Sequence, residues 1–241
     1  MSIAQTIQKN VDAMSAGRIF GYQELSSYAT SPSAVIKAVG RMVSDKRLER
    51  YSKGKFYVAK KGLLGLRKPS DSEQIRSILY KNGRLRGYVT GISLYNQLGL
   101  TTQMPRTISV AINGGRQEKE LGTIRIKTII TRIPIEEKDV TLLQYLDALK
   151  DIKKILDSDV DLSLKIMRGY ISKLSVNNKK RLLKLALNYY SPQVRALVGL
   201  LFSDLGLSLP RSLILSLNPT TTYKLKLKQS NWPMAKEWNI Q

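Results

Sequence analysis

The residues that could perform chemistry in this chain are limited in type, because the sequence contains neither histidine nor cysteine. Without histidine, the chain lacks the commonest general base and the commonest metal ligand. Without cysteine, it lacks disulfides, thiolate zinc sites and cysteine nucleophiles. An enzyme built from this sequence would have to use carboxylates, lysines, serines or tyrosines.

One stretch, DSDVDLS, places three carboxylates at alternating positions, Asp157, Asp159 and Asp161. This spacing is similar to that of a calcium loop or of the carboxylate pair of a metal-dependent polymerase-like site. A calcium loop is excluded, because Leu162 stands where glycine is required and Arg168 where the bidentate glutamate is required. We therefore expect Asp161 to cap the following helix and the other two aspartates to lie in an acidic loop.

The remaining catalytic signatures are absent from the sequence. No GxxxxGKS, GxGxxG or GxSxG pattern is present, and the NGGR stretch at 113–116 indicates a turn. The sequence therefore predicts a protein that is not an enzyme and that has no cofactor and no metal site. A carboxylate- or metal-dependent enzyme that modifies nucleic acid, using the 157–161 loop, remains the less favoured alternative.

The second kind of chemistry that the composition favours is the binding of a polyanion. The 241 residues include 40 lysines and arginines against 18 acidic residues, a formal net charge of +22. Such a balance favours DNA, RNA or an anionic membrane. The basic residues are dense in RLERYSKGKFYVAKKG, residues 47–62. Within it, 48–51 and 56–59 predict two strands joined by a turn at 52–55.

Three predicted helices precede this basic hairpin. Apolar residues one helical turn apart, from Ile3 to Met14, predict a first helix that Ser2 caps and Gly17 ends. The stretch RIFGYQEL predicts a short extended segment and then a second helix through about Tyr28. In SPSAVIKAVGRMVSDKR, Ser31 fits the N-cap and Pro32 the first position of a third helix.

The third helix has two distinct faces. Val35, Ala38, Val39 and Met42 are spaced to face a core. The opposite face carries small residues and two cations: Ser33, Lys37, Gly40, Arg41 and Ser44. Three helices followed by a basic hairpin is the winged helix-turn-helix pattern, in which the third helix enters the major groove and the hairpin lies along the phosphates. The predicted DNA-binding residues are Ser33, Lys37, Arg41, Ser44, Arg47, Arg50, Lys53 and Lys55.

The rest of the chain predicts two further domains. Residues 69–134 alternate short helical and extended patterns, with a β-pair in RTISVAINGG and LGTIRIKTII. From about Ile135 the pattern becomes helical and leucine-rich. We therefore predict an α+β multidomain fold, with a winged helix-turn-helix at 1–68, a small α+β unit at 69–134 and a mainly helical region at 135–241. The most apolar stretch, 196–217, is interrupted by polar residues and proline, so no membrane partner is expected.

Several stretches together resemble a known family. GYQELSSYATSPSAVIKAVGRMVSDKRLERYSKGKFYVAKKGLLG resembles the N-terminal winged helix of AbiEi-type antitoxins of type IV, abortive-infection toxin-antitoxin systems. It fits best their uncharacterised bacterial relatives. The resemblance continues in GYVTGISLYNQLGLTTQMP and in the tail LNPTTTYKLKL. The order of all three stretches carries the resemblance, which spans most of the chain.

The resemblance implies a cytoplasmic repressor with two tasks. The winged helix would bind double-stranded DNA at inverted repeats of its own promoter, through Lys37, Arg41, Arg47, Lys53 and Lys55. The remainder would counter a nucleotidyltransferase-like toxin, with or without a direct complex. The alternative is a stand-alone winged-helix regulator with a sensing or dimerising C-terminal region. RNA binding is less favoured, because three Phe and two Trp supply few stacking aromatics.

Overall fold

The structure, a computed structural model, describes residues 2–62, 65–121 and 124–241. It is a mixed α+β structure with several small sheets. The α+β class predicted from the sequence is therefore confirmed. The chain divides into two compact units, Met1–Gly87 with Glu120–Ile124, and Tyr88–Lys119 with Arg125–Gln241. The three-domain division drawn from the sequence stays a prediction.

The first unit contains, over its described residues, three helices and seven short strands. The helices are α1 (Ile3–Asp12), α2 (Pro32–Ser44) and α3 (Asp71–Leu79). The strands are β1 (Ile19–Gly21), β2 (Leu48–Ser52), β3 (Lys55–Val58), β4 (Lys60–Gly62), β5 (Gly65–Arg67), β6 (Tyr80–Lys81) and β7 (Arg84–Leu85). Strands β1, β3 and β2 form one antiparallel sheet in that order.

Local sequence explains most of these boundaries. Ser2 caps α1 through a reciprocal pair of hydrogen bonds with Gln5, at 3.0 and 3.3 Å. The predicted second helix is wrong: the structure has a single 3₁₀ turn, Tyr22–Glu24, followed by turns. Gly21 N–H donates to the Glu24 carboxylate at 3.0 Å, which fixes this tight turn. The segment's apolar residues do not recur at helical spacing over enough positions to propagate an α-helix.

The core of the first unit joins the helices to the three-stranded sheet. It contains Ile7, Val11, Phe20, Leu25, Val35, Val39, Met42, Leu48 and Phe56, all buried. Helix α1 and helix α2 each contribute residues one turn apart, as an amphipathic helix must. The apolar face predicted for α2 is therefore confirmed.

Helix α3 belongs to the first unit through specific hydrogen bonds. Glu73 accepts from Ile19 N–H at 2.8 Å, and Arg76 donates to Ile19 O at 2.8 Å. Lys55 Nζ donates to Ser77 O at 2.6 Å, near the end of the helix. These bonds join α3 to β1 and β3 of the first unit.

The second unit combines a four-stranded sheet with a helical part. Its strands are β8 (Gly87–Thr90), β9 (Thr107–Ile112), β10 (Glu118–Leu121) and β11 (Ile124–Ile130), in the order β10-β11-β9-β8. Its helices are α4 (Ile92–Gln97), α5 (Val140–Asp151), α6 (Val160–Ser172), α7 (Val176–Tyr189), α8 (Pro192–Asp204) and α9 (Arg211–Leu215). Two 3₁₀ helices lie at Glu137–Asp139 and Pro233–Trp238.

The predicted pair of strands, β9 and β11, is present but parallel, with Thr107 opposite Arg125 and Ile112 opposite Ile130. Parallel neighbours require a crossover rather than a tight hairpin. Here the crossover includes β10, which pairs on the other side of β11.

The leucine-rich helices form the core of the second unit. Leu142, Leu146, Leu149 and Ile152 are buried as predicted, whereas Leu156 is 62% exposed. Helix α8 is buried over most of its length, and Gly206, with a φ of +64°, follows its end. Trp232 and Trp238, which the sequence places in an extended tail, are both buried in this core.

The aspartates of the 157–161 loop have separate partners. The predicted cap is misplaced by two residues, because Asp159, not Asp161, accepts from Leu162 N–H at 3.0 Å and caps α6. Asp161 is buried and accepts from Lys228 N–H at 3.2 Å and Asn231 Nδ2 at 2.6 Å. Asp157 accepts from Gln103 Nε2 at 2.8 Å. Asp161 therefore holds the C-terminal segment against α6.

Among the described residues, no helix has the length and apolar character that a membrane crossing needs. Over the same residues, no three acidic side chains are grouped closely enough to hold a metal ion.

Candidate nucleic-acid interface

Helix α2 presents a basic face with small side chains. Pro32 occupies its first turn, and Val35, Val39 and Met42 anchor the opposite face in the core. This packing leaves Ser33, Lys37, Gly40, Arg41 and Ser44 exposed. Ser33, Lys37, Arg41 and Ser44 follow each other at intervals of about one turn, along roughly 16 Å of helix axis.

Few internal interactions occupy this face. Space is open around Gly40: a methyl group there would meet no other heavy atom within 4 Å. Within the described parts of the chain, neither Lys37 nor Arg41 has a carboxylate partner. Ser44 Oγ donates to Gly40 O at 3.2 Å, within the helix. The face can therefore approach a surface closely, with both cations available.

The β2–β3 hairpin carries a second group of cations. Ser52, Lys53 and Gly54 are exposed at its turn, and Gly54 has a φ of +71° that favours glycine. Arg50 is exposed on β2, with its guanidinium carbon 5.9 Å from the centre of the Phe56 ring. This cation–π contact limits the freedom of the arginine without neutralising its charge.

Two of the predicted DNA-binding cations make contacts inside the protein. Arg47 Nη2 lies 2.6 Å from Asp12 Oδ1, and this ion pair connects β2 to the end of α1. Lys55 is partly buried, with its ammonium group 2.6 Å from Ser77 O. A cation near the C-terminal end of a helix, as Lys55 is to α3, interacts favourably with the helix dipole. Arg47 and Lys55 therefore each connect two elements of the first unit, and Lys53 is the lysine at the turn itself. The DNA contacts predicted for all three residues stay predictions.

A buried carboxylate in the second unit was not expected from the sequence. Asp147, on α5, is 3% exposed. Its Oδ2 accepts from Tyr88 at 3.0 Å and Thr90 at 2.8 Å, and its Oδ1 accepts from Lys150 at 2.8 Å and Tyr190 at 3.1 Å. The carboxylate thus connects β8, α5 and the end of α7. One signal was available: Asp147 follows Leu143 by one turn, at a position where a core residue is expected.

The tyrosines around Asp147 remain hydrogen-bond donors. Burial first, and the charge of Asp147 second, raise the pKa of Tyr88 and the pKa of Tyr190 well above their ordinary value. Both phenols therefore stay protonated at neutral pH and donate to the carboxylate. A cavity of about 190 Å³ borders this network. Because four donors already surround the carboxylate, the network serves to hold the fold together.

The structure thus defines a mixed α+β protein whose first unit carries a basic helix and a basic hairpin. The chain belongs to a family of unknown function, DUF6088, whose family model matches residues 6–169. No curated protein sequence matches the chain. Among solved structures, the crystal structure of the RV2827C protein from Mycobacterium tuberculosis is similar, with 12% sequence identity and a TM-score of 0.47, over 93% of this chain and 85% of that chain.

Proposed function

We propose that the chain is a DNA-binding transcriptional repressor that acts as the antitoxin of a type IV toxin-antitoxin system. Its first unit would be a winged helix-turn-helix, with α2 as the recognition helix and β2–β3 as the wing. The observation that carries the DNA-binding part is the exposed face of α2, which combines Lys37 and Arg41 with small residues and an open Gly40.

The positive charge of the α2 face and the width of an α-helix both support duplex DNA as the partner. The major groove of B-DNA, about 12 Å wide, admits an α-helix, and arginine can contact guanine O6 and N7 together. Lys53, at the exposed hairpin turn, is placed as a phosphate contact would be in a winged helix. Arg50, held on Phe56, would add a second contact near the wing.

The antitoxin part rests on the resemblance to AbiEi-type antitoxins. In that arrangement the protein binds inverted repeats in its own promoter in the cytoplasm, and the second unit counters a nucleotidyltransferase-like toxin. The alternative is a plain regulator whose second unit senses a ligand or forms dimers. Such a regulator would have no partner toxin to counter. The enzyme alternative depends on a shared ion at Asp157, Asp159 and Asp161, whereas each of these carboxylates accepts from a different protein donor.

The test has two arms. The first measures binding of the full chain to a duplex of its own promoter and to a scrambled duplex, by fluorescence anisotropy at fixed salt. We expect specific binding that is at least about 10³-fold tighter than non-specific binding. Equal affinity for the two duplexes would contradict the repressor proposal.

The second arm looks for a nucleotidyltransferase-like gene beside the gene of this chain and expresses it with and without this chain. The lack of such a gene would favour the plain regulator. Rescue of growth supports the antitoxin role. Specific promoter binding without rescue would leave the plain regulator as the function.

A further inference from the structure

A basic cleft of about 560 Å³ lies in the first unit, and the proposed DNA-binding surface does not use it. One wall is the loop at residues 15–18, after α1. The other runs from the end of β5 into α3, and contributes Arg67, Lys68 and Arg76. Its volume falls within the range of about 300–1,000 Å³ that is usual for small-molecule sites.

Cations dominate the lining of the cleft. Four cations, Arg18, Arg67, Lys68 and Arg76, line it beside one carboxylate, Glu73. Arg76 is paired with Glu73 at 2.6 Å, and Arg18 lies 3.8 Å from the Glu24 carboxylate. Arg67 and Lys68 are exposed, and neither has a carboxylate partner among the residues that the structure describes. Hydroxyl groups of Ser15, Ser70 and Ser72 complete the polar lining. Convergent cations and hydroxyls suit phosphate oxygens.

The two walls of the cleft are fixed to each other. Glu73 accepts from Ile19 N–H at 2.8 Å, while Arg76 donates to Ile19 O at 2.8 Å and to the Glu73 carboxylate at 2.6 and 2.7 Å. Both backbone groups of Ile19 are therefore held by α3, directly beside the loop that forms the first wall. A site that is already formed does not lose ordering entropy when its ligand binds.

The cleft and the hairpin turn lie at opposite ends of β1. Gly17, in the cleft, donates to Val58 O at 2.9 Å, whereas Gly21, at the other end of the strand, pairs with Lys55 next to the turn. Duplex DNA is convex and suits a protruding helix and hairpin, whereas a concave site suits a small ligand.

We infer that this cleft binds a small molecule carrying two or more phosphate groups, such as a nucleoside triphosphate. Arg67 and Lys68 would contact the phosphates together with the Ser70 and Ser72 hydroxyls of the same wall. Arg18 and the Ser15 hydroxyl would complete the contacts on the opposite wall. The site is separate from the proposed DNA interface.

The experiment uses inorganic tripolyphosphate, ATP and AMP as probes, with isothermal titration calorimetry on the full chain at about 0.15 M salt, where diffuse charge is screened beyond about 8 Å. The cleft variant is Arg67→Ala with Lys68→Ala. The matched control is Lys81→Ala with Arg84→Ala, which removes the same charge from exposed positions of the β6–β7 hairpin.

We expect tripolyphosphate and ATP to bind more tightly than AMP, and the cleft variant to lose at least about tenfold in affinity while the control changes by less than about twofold. Tripolyphosphate binding without ATP binding supports a phosphate site and removes the nucleoside from the assignment. Absence of binding to the wild type, or equal losses in the two variants, overturns the inference.

A measurement of operator DNA binding tests whether the cleft is distinct from the proposed DNA-binding surface. If the cleft is a separate site, the cleft variant and the control bind operator DNA with affinities within about threefold of each other. A larger selective loss of DNA binding in the cleft variant would place the cleft in the DNA interface and overturn the small-ligand assignment. Failure of the chain to bind operator DNA, by contrast, leaves the phosphate titration unaffected.

Discussion

At the scale of single residues, base contact and phosphate contact should respond differently to mutation. Arg41 lies on the exposed face of α2, so Arg41→Ala should weaken operator binding by about 1–3 kcal/mol and random DNA much less. The control is Arg211→Ala, an exposed arginine of the second unit, which should change neither affinity. Anisotropy titrations with operator and scrambled duplexes measure the difference. Parallel losses on both duplexes would show that Arg41 contacts only phosphate.

Two hairpin lysines provide a second comparison. Lys53 is exposed at the turn, whereas Lys55 donates to Ser77 O. Lys53→Ala should lower the magnitude of the slope of log K against log salt by about 0.9, the value for one lost phosphate contact. Lys55→Ala should instead lower the melting temperature and leave that slope nearly unchanged. An unchanged slope for Lys53→Ala would contradict the wing docking, and Lys184→Ala, exposed on α7, serves as the control.

Glu73 should make stability depend on acidic pH. Burial opposes ionisation, but hydrogen bonds from Arg76 and Ile19 outweigh it and lower the pKa of Glu73. The carboxylate therefore stabilises the fold fully above about pH 4.3, the usual pKa of an unfolded glutamate, and this contribution is lost as pH falls through the lower folded pKa. The difference in unfolding free energy between wild type and Glu73→Gln should shrink as pH falls below about 4.3, the usual pKa of an unfolded glutamate. Urea unfolding at several pH values measures it, and a constant difference would contradict this account.

At the scale of secondary-structure elements, the position of one glycine determines how the C-terminal segment packs. A methyl group on Gly199 would lie 2.2 Å from Trp238 Cζ3, so the indole ring lies directly on the backbone of α8. Gly199→Ala should therefore destabilise the protein by about 1–3 kcal/mol, although alanine favours helix. Gly169→Ala is the control, because Gly169 in α6 has open space and the same change should stabilise by up to about 1 kcal/mol. Chemical denaturation compares the two, and equal shifts would show that Trp238 moves freely.

The elements that the sequence predicts well are those whose signals are local. Helix α2 begins where proline follows a serine, and its buried stripe of Val35, Val39 and Met42 is visible in the spacing alone. The predicted second helix is absent because the segment has few apolar residues at helical spacing, and its 3₁₀ turn is closed by the bond from Gly21 N–H to the Glu24 carboxylate. The parallel pairing of β9 with β11 was not predictable in the same way, since it depends on a crossover between residues distant in sequence.

The candidate site shows the same contrast between local and distant information. The exposed face of α2 follows from helical geometry, so Lys37 and Arg41 could be selected from sequence. Side chains that reach back to a distant element could not be recognised: Lys55 to Ser77, and Arg47 to Asp12, which lies 35 residues away. Net charge could not predict these contacts, because a formal charge of +22 does not distinguish a cation that contacts a ligand from one that connects two elements.

At the scale of the whole molecule, the extent of the first unit determines which fragment can act alone. A fragment of residues 1–68 lacks α3, and with it the bonds from Glu73 and Arg76 to Ile19 and from Lys55 to Ser77. A fragment of residues 1–87 keeps them, and lacks only Glu120–Ile124 of the first unit. We expect 1–87 to unfold cooperatively, and 1–68 to be less stable by several kcal/mol, since three partly buried charged contacts are lost.

Function should divide between the units in the same way. The 1–87 fragment should bind the promoter duplex with a salt slope close to that of the full chain, because α2 and the hairpin turn are both present. It should not restore growth to cells that express the toxin, because the second unit is missing. Anisotropy with promoter DNA and a growth assay measure the two outcomes on the same fragment, with the full chain as the positive control. Full rescue by 1–87 would assign toxin neutralisation to the first unit. Promoter binding by 1–68 equal to that of 1–87 would show that α3 is not needed to hold α2 and the β2–β3 hairpin in place.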